Sequence, residues 1–542
     1  MQHSNFSRSL GPHILSDGKV CWRVWAPHAQ EVELLLYTSP NKYEAVPMQQ
    51  EGMGYYTLAL ENIADGQRYA YRLHGEAIYP DPVSLSQPDG VHLPSAVVRT
   101  DRFFWTDSNW RGLALSDLVI YEIHCGTFTL AGTLNEIIPR LGDLRDLGIT
   151  AIELMPIGQF SGSRNWGYDG VHIFAVQNTY GGPQALVKLV NACHAYGLAV
   201  ILDVVYNHVG PEGNYLARFG PYFTDRYRTP WGPAFNYDGP NSDGVRHFVC
   251  DNVRMWLEEY HIDGLRLDAV HAIYDMTAQH ILNDIRRTAD EAAARRGWPA
   301  LLIAESNLND PRLVRPRSQG GYQLDAVWND DYHHVLHAYY TGERESYYVD
   351  FGEAKHIAKV WQNVFVLDGI YSRYRQRRHG APAGDLSGEH FVVYLQNHDL
   401  VANRAPAQRL VTQLPPAAYR QAVCLVLSSP YVPMLFMGEE YGEERPFYFF
   451  TSFQDTQLAA SIRAGRKREL ARLGWIAEVP DPQAMETFLA CKLSWQWSAS
   501  HKRGQLRQLY KDLLCGRKLW PAWQDYIHRH AELAPPTQPV IL

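Results

Sequence analysis

The chain has 542 residues, of which 46% are apolar and 20% are charged. This is ordinary globular composition, which excludes a disordered chain, and the length favours two to three domains if one of them is a large barrel. The formal charge of −8, from 50 Lys and Arg against 58 Asp and Glu, gives no overall basic excess. We therefore expect no nucleic-acid partner.

The N-terminal residues, the apolar runs and the cysteines predict the cellular location of the protein. Residues 1–10 contain no apolar segment typical of a secretory signal, and no run approaches 18 consecutive apolar residues. The seven cysteines are scattered and form no CxxC pair. We expect reduced thiols, a cytoplasmic location and no membrane partner.

Residues 1–100 are predicted to form a β-sandwich domain. Apolar or alternating runs at 20–25, 31–36 and 69–73 are separated by turn residues, which is typical of short antiparallel strands. A Pro-rich stretch at 79–94 marks the boundary with the next domain.

Residues 101–455 are predicted to form an α/β domain, a (β/α)8 TIM barrel. Eight apolar runs alternate with helical patterns. The runs lie at 118–123, 148–156, 198–205, 263–268, 300–305, 324–328, 391–396 and 432–437. A doubly wound sheet is the alternative, but no Gly-rich phosphate-binding fingerprint follows the first run.

Two of the predicted helices have recognisable ends. Thr133 and Glu136 have the spacing of a capping box, although Pro139 interrupts the helical pattern after them. Another helix is expected from near Pro183 to Gly197. Residues 456–542 form a C-terminal region that is partly helical, with helical periodicity at 505–514.

Chemically active side chains follow four of the predicted strands. Barrel enzymes carry their chemistry at the C-terminal ends of the strands, so these side chains should share one rim. They are Asp203 with Asn207 and His208, Arg266 with Asp268 and His271, Glu305, and His398 with Asp399.

This set of carboxylates favours glycoside hydrolysis, which needs one ionised and one protonated carboxyl group. Arg266, two residues away on the same strand face, favours the charged form of Asp268. Glu305 closes an apolar strand and fits the acid with a raised pKa. Asp399 could stabilise charge or bind sugar hydroxyls.

Other interpretations of these residues remain open. A single Asp at a strand end is commonly a helix N-cap, and each His taken alone is more often structural. A divalent-metal barrel is also an alternative, because Asp203, Asp268, Glu305 and the histidines could be ligands.

The same residues carry a resemblance to a known family. Residues 203–208, 264–269, Glu305 and 397–399 resemble the four signature regions of the α-amylase superfamily of retaining glycosidases. Further segments resemble the maltooligosyltrehalose trehalohydrolases within it, namely residues 25–27, 87–91, 166–170, 206–215, 223–227, 268–273, 328–331 and 437–440. The resemblance implies hydrolysis of the α-1,4 bond next to a terminal α,α-trehalose unit.

The resemblance also implies roles for individual residues. Asp268 would be the nucleophile, Glu305 the acid/base and Asp399 the third carboxylate. Tyr168 would stack on the sugar in the −1 subsite, Asp169 would support that site, and Asp203 would organise Arg266. The expected substrate-binding residues are Trp166, Tyr168, Asp169, Asp203, His208, Arg266, His271, Asp330 and His398. Asn207 resembles a calcium-site Asn, but without a full ligand set we expect no metal and no cofactor.

The chain departs from the family pattern at three places. Residues 400–403 read Leu-Val-Ala-Asn where Gln-Val-Gly-Asn is expected, and Asn307 replaces an expected Asp. After Leu514 only 542 − 514 = 28 residues remain, which is short for the expected C-terminal β-domain.

Two other functions are alternatives. A glucan-branching or glucanotransferase enzyme would share the barrel and the acids, and a glycan-binding protein would keep the barrel without catalysis. The expected partners are maltooligosyl trehalose and related α-glucans, with maltooligosyltrehalose synthase as a pathway neighbour and a monomeric or homodimeric state.

Overall fold

The computed structural model describes residues 8–75, 77–404, 407–472, 479–534 and 538–541. Its N-terminal part contains two antiparallel sheets, which confirms the predicted β-sandwich. One sheet consists of His13–Ile14, Val20–Trp25, Gln49–Gln50 and Tyr55–Leu60. The other consists of Val32–Ser39, Lys42–Pro47, Arg68–Leu73, Ala77–Tyr79 and Ser95–Ala96.

Eight parallel strands then close into a barrel in sequence order, so the predicted TIM barrel is confirmed and the doubly wound alternative is wrong. Each strand lies within one predicted apolar run. The strands are β1 (Ile120–Ile123), β2 (Ala151–Leu154), β3 (Ala199–Val204), β4 (Gly264–Leu267), β5 (Leu301–Ala304), β6 (Ala326–Trp328), β7 (Phe391–Tyr394) and β8 (Val432–Phe436). β1 pairs with both β2 and β8, which closes the barrel.

Helices cover the outside of the barrel between most strands. The longer ones are Leu141–Leu147, Gly182–Ala195, Ser242–Arg254, Ile281–Arg296, Asp330–Thr341, Ala354–Asn363 and Pro416–Leu427. The helix predicted from near Pro183 is Gly182–Ala195, and Gly197 follows it in the left-handed region with φ of +76°. Residues 305–325 contain two 3-10 turns, Pro311–Leu313 and Arg317–Gln319, in place of an α-helix.

The helix predicted at Thr133 begins later than expected. A 3-10 segment, Asn135–Arg140, comes first, and its N-terminus receives no side-chain cap from Thr133. Pro139 lies in that segment, and its ring and missing N–H oppose a continuous α-helix. The predicted capping box is therefore wrong, and the α-helix starts at Leu141.

The C-terminal region contains the helices Thr456–Arg472, Met485–Ala490 and Lys502–Leu519, followed by a hairpin of Ala531–Ala534 and Gln538–Ile541. The predicted helical segment at 505–514 thus lies inside Lys502–Leu519. The predicted domain boundaries near residues 100 and 455 stay predictions. Among the described residues, no helix combines the length and the apolar character needed to cross a membrane.

Alternation along the strands decides which side chains face the barrel interior. Every second residue points inward, and the lower interior is filled by apolar side chains such as Ile120, Ile201, Ile303 and Met434. Two residues further along β1, β3 and β5 the inward positions are Glu122, Asp203 and Glu305. The inward-facing side chains therefore change from apolar to charged at the C-terminal ends of these strands.

Candidate active site

The three predicted catalytic carboxylates, Asp268, Glu305 and Asp399, lie at one rim of the barrel together with Asp203. Asp203 is the penultimate residue of β3, and Asp268 and Glu305 come directly after β4 and β5. Asp399 lies in the first turn of the short helix His398–Ala402 that follows β7. Parallel strands end on the same side of the barrel, so these four side chains face one cleft.

Arg266 joins two of these carboxylates from inside the barrel. It pairs in register with Asp203 on the neighbouring strand. Its Nη1 donates to Asp203 Oδ2 at 2.7 Å and to Asp268 Oδ1 at 2.8 Å, and the arginine is 1% exposed. The guanidinium also lies 4.3 Å from the ring centroid of Trp328. Because this cation lies between the two acids, a metal ion bridging them would have to displace it.

Asp268 is held in one orientation. The amide of Asn207 donates to its Oδ2 and to its main-chain oxygen, both at 2.8 Å. The next residue, Ala269, has φ of +40°, which is the left-handed region that residues with a Cβ rarely adopt. The salt bridge from Arg266 and the Asn207 hydrogen bonds together fix the position of both carboxyl oxygens.

Glu305 has the opposite environment. Burial raises the pKa of its carboxyl group to about 8, with the Arg266 cation opposing and the Asp268 charge adding to the shift. Its Oε2 accepts the Ala269 N–H at 2.6 Å and lies 3.7 Å from Arg266 Nη2. At neutral pH the site thus places a protonated Glu305 beside the Asp268 that Arg266 holds.

Asp399 is the most open of the acids, with 49% of its side chain exposed. Asn403, which keeps the residue expected at that position of the 400–403 segment, donates to its Oδ1 at 3.0 Å. At the ends of the neighbouring strands β6 and β7, Tyr394 donates to Asp330 Oδ1 at 2.6 Å, and burial raises the pKa of Asp330 to about 6.

Tyr168 connects two sides of the rim. Its hydroxyl donates to Asp203 Oδ2 at 2.7 Å and lies 2.9 Å from His398 Nε2. Burial raises the pKa of Asp203 to about 6, and the Arg266 cation opposes that shift. The Tyr168 ring is half-buried and stacks on His398, with 5.2 Å between ring centroids.

Five of the predicted substrate-binding residues are buried, namely Trp166, Asp203, His208, Arg266 and His398. Trp166 is 4% exposed, donates to the Tyr448 carbonyl at 2.9 Å and stacks on Phe447. His398 is 1% exposed and its Nδ1 contacts Glu122. The side chains of Trp166 and His398 are thus buried, and direct substrate contact stays a prediction for them.

The remaining predicted substrate-binding residues are His208, Asp169 and His271. His208 Nε2 lies 3.0 Å from the Tyr168 carbonyl, and Asn165 donates to Asp169 Oδ2 at 2.7 Å. His271 is half-buried and its Nδ1 has no hydrogen-bond partner. Burial lowers the pKa of both histidines and raises that of Asp169.

Sequence reasoning missed three residues of the site. Glu122 and Trp328 lie on β1 and β6 inside apolar runs, and a lone acid in a buried strand was the available signal for the former. Trp231, half exposed in the turn after Phe223–Thr229, stacks on His208 with 5.2 Å between ring centroids. Asn207, considered for a calcium site, instead orients Asp268.

Replacing Arg266 with methionine is expected to lower the free energy of unfolding by about 3–5 kcal/mol, because the change leaves Asp203 buried without its counter-ion. The matched control is Arg226→Met, which removes an arginine whose side chain is 59% exposed and should cost about 0–1 kcal/mol. Guanidinium denaturation followed by fluorescence measures both variants. Equal effects of the two changes would contradict a central structural role for Arg266.

Known proteins can be compared with this architecture and site. A model of the α-amylase catalytic domain matches residues 77–231, and a model of carbohydrate-binding module 48, the isoamylase N-terminal domain, matches residues 9–88. The malto-oligosyltrehalose trehalohydrolase of Saccharolobus solfataricus is 48% identical over 94% of this chain and 87% of its own length. The chain belongs to the malto-oligosyltrehalose trehalohydrolase family.

One further relative carries the same name, and one solved structure shares the fold. The malto-oligosyltrehalose trehalohydrolase of Arthrobacter ramosus is 45% identical over 92% of this chain and 87% of its own length. A crystal structure of a putative α-amylase from Salmonella typhimurium superposes with a TM-score of 0.90 at 38% identity, covering 98% of this chain and 90% of that one. The predicted enzyme class, a glycoside hydrolase of the α-amylase superfamily, is confirmed.

Proposed function

We propose that this malto-oligosyltrehalose trehalohydrolase family member cleaves the α-1,4-glucosidic bond next to the terminal α,α-trehalose unit of maltooligosyl trehalose, with retention at the anomeric carbon. The products are trehalose and a maltooligosaccharide. The observation that supports the chemistry is the pairing of Asp268, held by Arg266 and Asn207, with a protonated Glu305. The names of the relatives support the substrate.

In the first step Glu305 donates its proton to the bridging oxygen, which becomes the O4 hydroxyl of the departing trehalose. Asp268 attacks the anomeric carbon of the adjoining glucosyl unit as the bond to that oxygen breaks, and a maltooligosyl ester forms on the enzyme. Ala269 follows Asp268 directly, and its N–H donates to Glu305 Oε2. This hydrogen bond keeps the Asp268 and Glu305 carboxyl groups close together.

In the second step Glu305, now ionised, takes a proton from water. The water oxygen attacks the same carbon, Asp268 leaves as a carboxylate, and the maltooligosaccharide is released with its original anomeric configuration. We assign Asp399 and Arg266 to stabilising the positive charge that develops on the sugar ring. Tyr168 provides an aromatic surface beside this carbon.

The remaining proposals concern partners and location. Related α-glucans are proposed as weaker substrates, and a maltooligosyltrehalose synthase is proposed to supply the trehalose-ended chain. The proposed location is the cytoplasm, supported by the seven cysteines, none of which forms a disulfide in the described residues.

The substrate proposal is tested by incubating the enzyme with maltotriosyl trehalose and, separately, with maltopentaose at equal concentration. We expect free trehalose and maltotriose from the first and little cleavage of the second, because the trehalose unit supplies contacts that a reducing-end maltose lacks. Comparable cleavage of both would assign the enzyme to the amylases. Products with α-1,6 linkages and no new reducing ends would assign it to the branching enzymes.

A further inference from the structure

Glu122 is a buried carboxylate inside the barrel that neither step of the proposed reaction uses. It lies on β1 and is 1% exposed. Both of its oxygens contact one residue of the rim: Oε1 lies 2.5 Å from His398 Nδ1, and Oε2 accepts the His398 main-chain N–H at 3.1 Å. This two-point contact fixes both the main chain and the ring of His398.

The other side of the His398 ring determines its protonation. Asp203 Oδ2 accepts from Arg266 at 2.7 Å and from the Tyr168 hydroxyl at 2.7 Å. Since that hydroxyl has only one proton, it must accept a hydrogen bond from His398 Nε2 at 2.9 Å. Nε2 is therefore a donor, and Nδ1 faces the Glu122 carboxylate.

We propose that Glu122 is a positioning residue for glycoside hydrolysis, which holds His398 as a doubly protonated imidazolium behind the catalytic rim. His398 in turn orients the Tyr168 hydroxyl and places a positive charge 3.7 Å from Asp399 Oδ1. The inference rests on the proposed function, because it assigns Glu122 to the same reaction.

The charges around His398 agree with this assignment. Burial disfavours the imidazolium, yet the Glu122 and Asp399 carboxylates outweigh burial and raise the pKa of His398 to about 9. The charged and titratable groups that face the ring from the surrounding elements are Glu122, His124, Glu153, Tyr168, Asp203, Arg266 and Asp399. Of these, Glu122 makes the shortest contact.

Glu153 provides a matched control on the neighbouring strand. It pairs in register with Glu122 and is equally buried at 1% exposure. Neither of its carboxyl oxygens has a hydrogen-bond partner, and burial together with the Glu122 charge raises its pKa well above the usual range. A neutral Glu153 differs little from glutamine, so Glu153→Gln should leave the rate within about twofold.

The test compares Glu122→Gln, Glu153→Gln, His398→Gln and the Glu122→Gln/His398→Gln double variant, with kcat and KM measured on maltotriosyl trehalose from pH 5 to 10. We expect Glu122→Gln to lower kcat by about 10- to 100-fold, with a smaller change in KM, as when a group that orients a functional histidine is lost. Its alkaline limb, which Glu305 sets near pH 8 in the parental enzyme, should move to lower pH, because without the Glu122 charge the His398 ring loses its proton before Glu305 does.

The double variant separates positioning from general support of the barrel. If Glu122 acts through His398, adding Glu122→Gln to His398→Gln should change kcat by less than about twofold. Full additivity of the two losses, an unshifted pH profile in Glu122→Gln, or an equal shift in Glu153→Gln would each overturn the proposal.

A measurement on the parental chain keeps the inference testable if Glu122→Gln does not fold. Protein labelled with 15N-histidine, with the His398 signals identified by their loss in His398→Gln, should show both ring nitrogens protonated at pH 7.5. A neutral ring at that pH would overturn the inference. This measurement needs no substrate, so the proposed function can fail on product analysis while the protonation of His398 is decided independently.

Discussion

Asp268→Asn is expected to reduce the release of trehalose by roughly 10⁴-fold, the scale seen when one member of a catalytic unit is removed. The amide cannot form the glycosyl ester. It also replaces the charged partner of Arg266 with a neutral one. The loss should persist with α-maltosyl fluoride, whose leaving group needs no proton, because the missing step is the attack on carbon. Initial rates of fluoride release measure it.

The matched control for this variant is Asp225→Asn, which makes the same chemical change at an exposed position on the neighbouring hairpin. It should retain the parental rate, and both variants should keep the parental circular dichroism spectrum. A folded Asp268→Asn variant that hydrolyses either substrate at a tenth of the parental rate or faster would remove Asp268 from the role of nucleophile.

Glu305→Gln is expected to lower the rate on maltotriosyl trehalose by about 10²- to 10⁴-fold, since general acid catalysis of the departing oxygen is lost. The parental enzyme should lose activity as the pH rises through about 8, because Glu305, with its pKa raised by burial, must be protonated in the first step. In the glutamine variant the limb near pH 8 should disappear, which leaves the loss of the His398 proton near pH 9 as the alkaline limit. The pH dependence of kcat/KM from pH 5 to 10 measures both effects.

The fluoride substrate distinguishes Glu305 from Asp268. Glu305→Gln should release a burst of fluoride equal to the enzyme concentration, because ester formation needs no acid whereas hydrolysis of the ester still needs the missing base. Glu136→Gln, at an exposed site, is the matched control and should behave as the parental enzyme. Steady parental turnover of maltotriosyl trehalose by Glu305→Gln would exclude it as the acid.

Much of this site could be predicted because a barrel makes the strand period informative. Inward positions recur at every second residue and parallel strands end together. Asp203, Asp268 and Glu305 could therefore be placed on one rim from apolar runs and their terminal residues. Opposite environments for Asp268 and Glu305 also followed from one adjacent arginine and one apolar strand, and the contacts of Arg266 agree with that reasoning.

Local patterns were less reliable where neighbouring residues competed. Thr133 and Glu136 have capping-box spacing, but Pro139 comes within one turn of them and the α-helix starts at Leu141 instead. The segment at 400–403 departs from the family pattern at Leu400 and Ala402, whereas Asn403 keeps the expected residue and hydrogen-bonds Asp399. One helical turn brings Asn403 close to Asp399. The contact between them therefore depends on the residue at which the helix begins.

The sequence by itself determined the barrel, the sandwich before it and the identity of the acids, because these depend on periodicity and on residues close together in the chain. Only the tertiary structure decided which groups hold those acids in place. Glu122 and His398 are separated by 276 positions and meet because closure of the barrel brings β1 near the end of β7. Trp166 could not be recognised as buried for the same reason, since it is covered by Phe447 and Tyr448, which lie far from it along the chain. Contacts of this kind depend on barrel closure, and no local pattern encodes them.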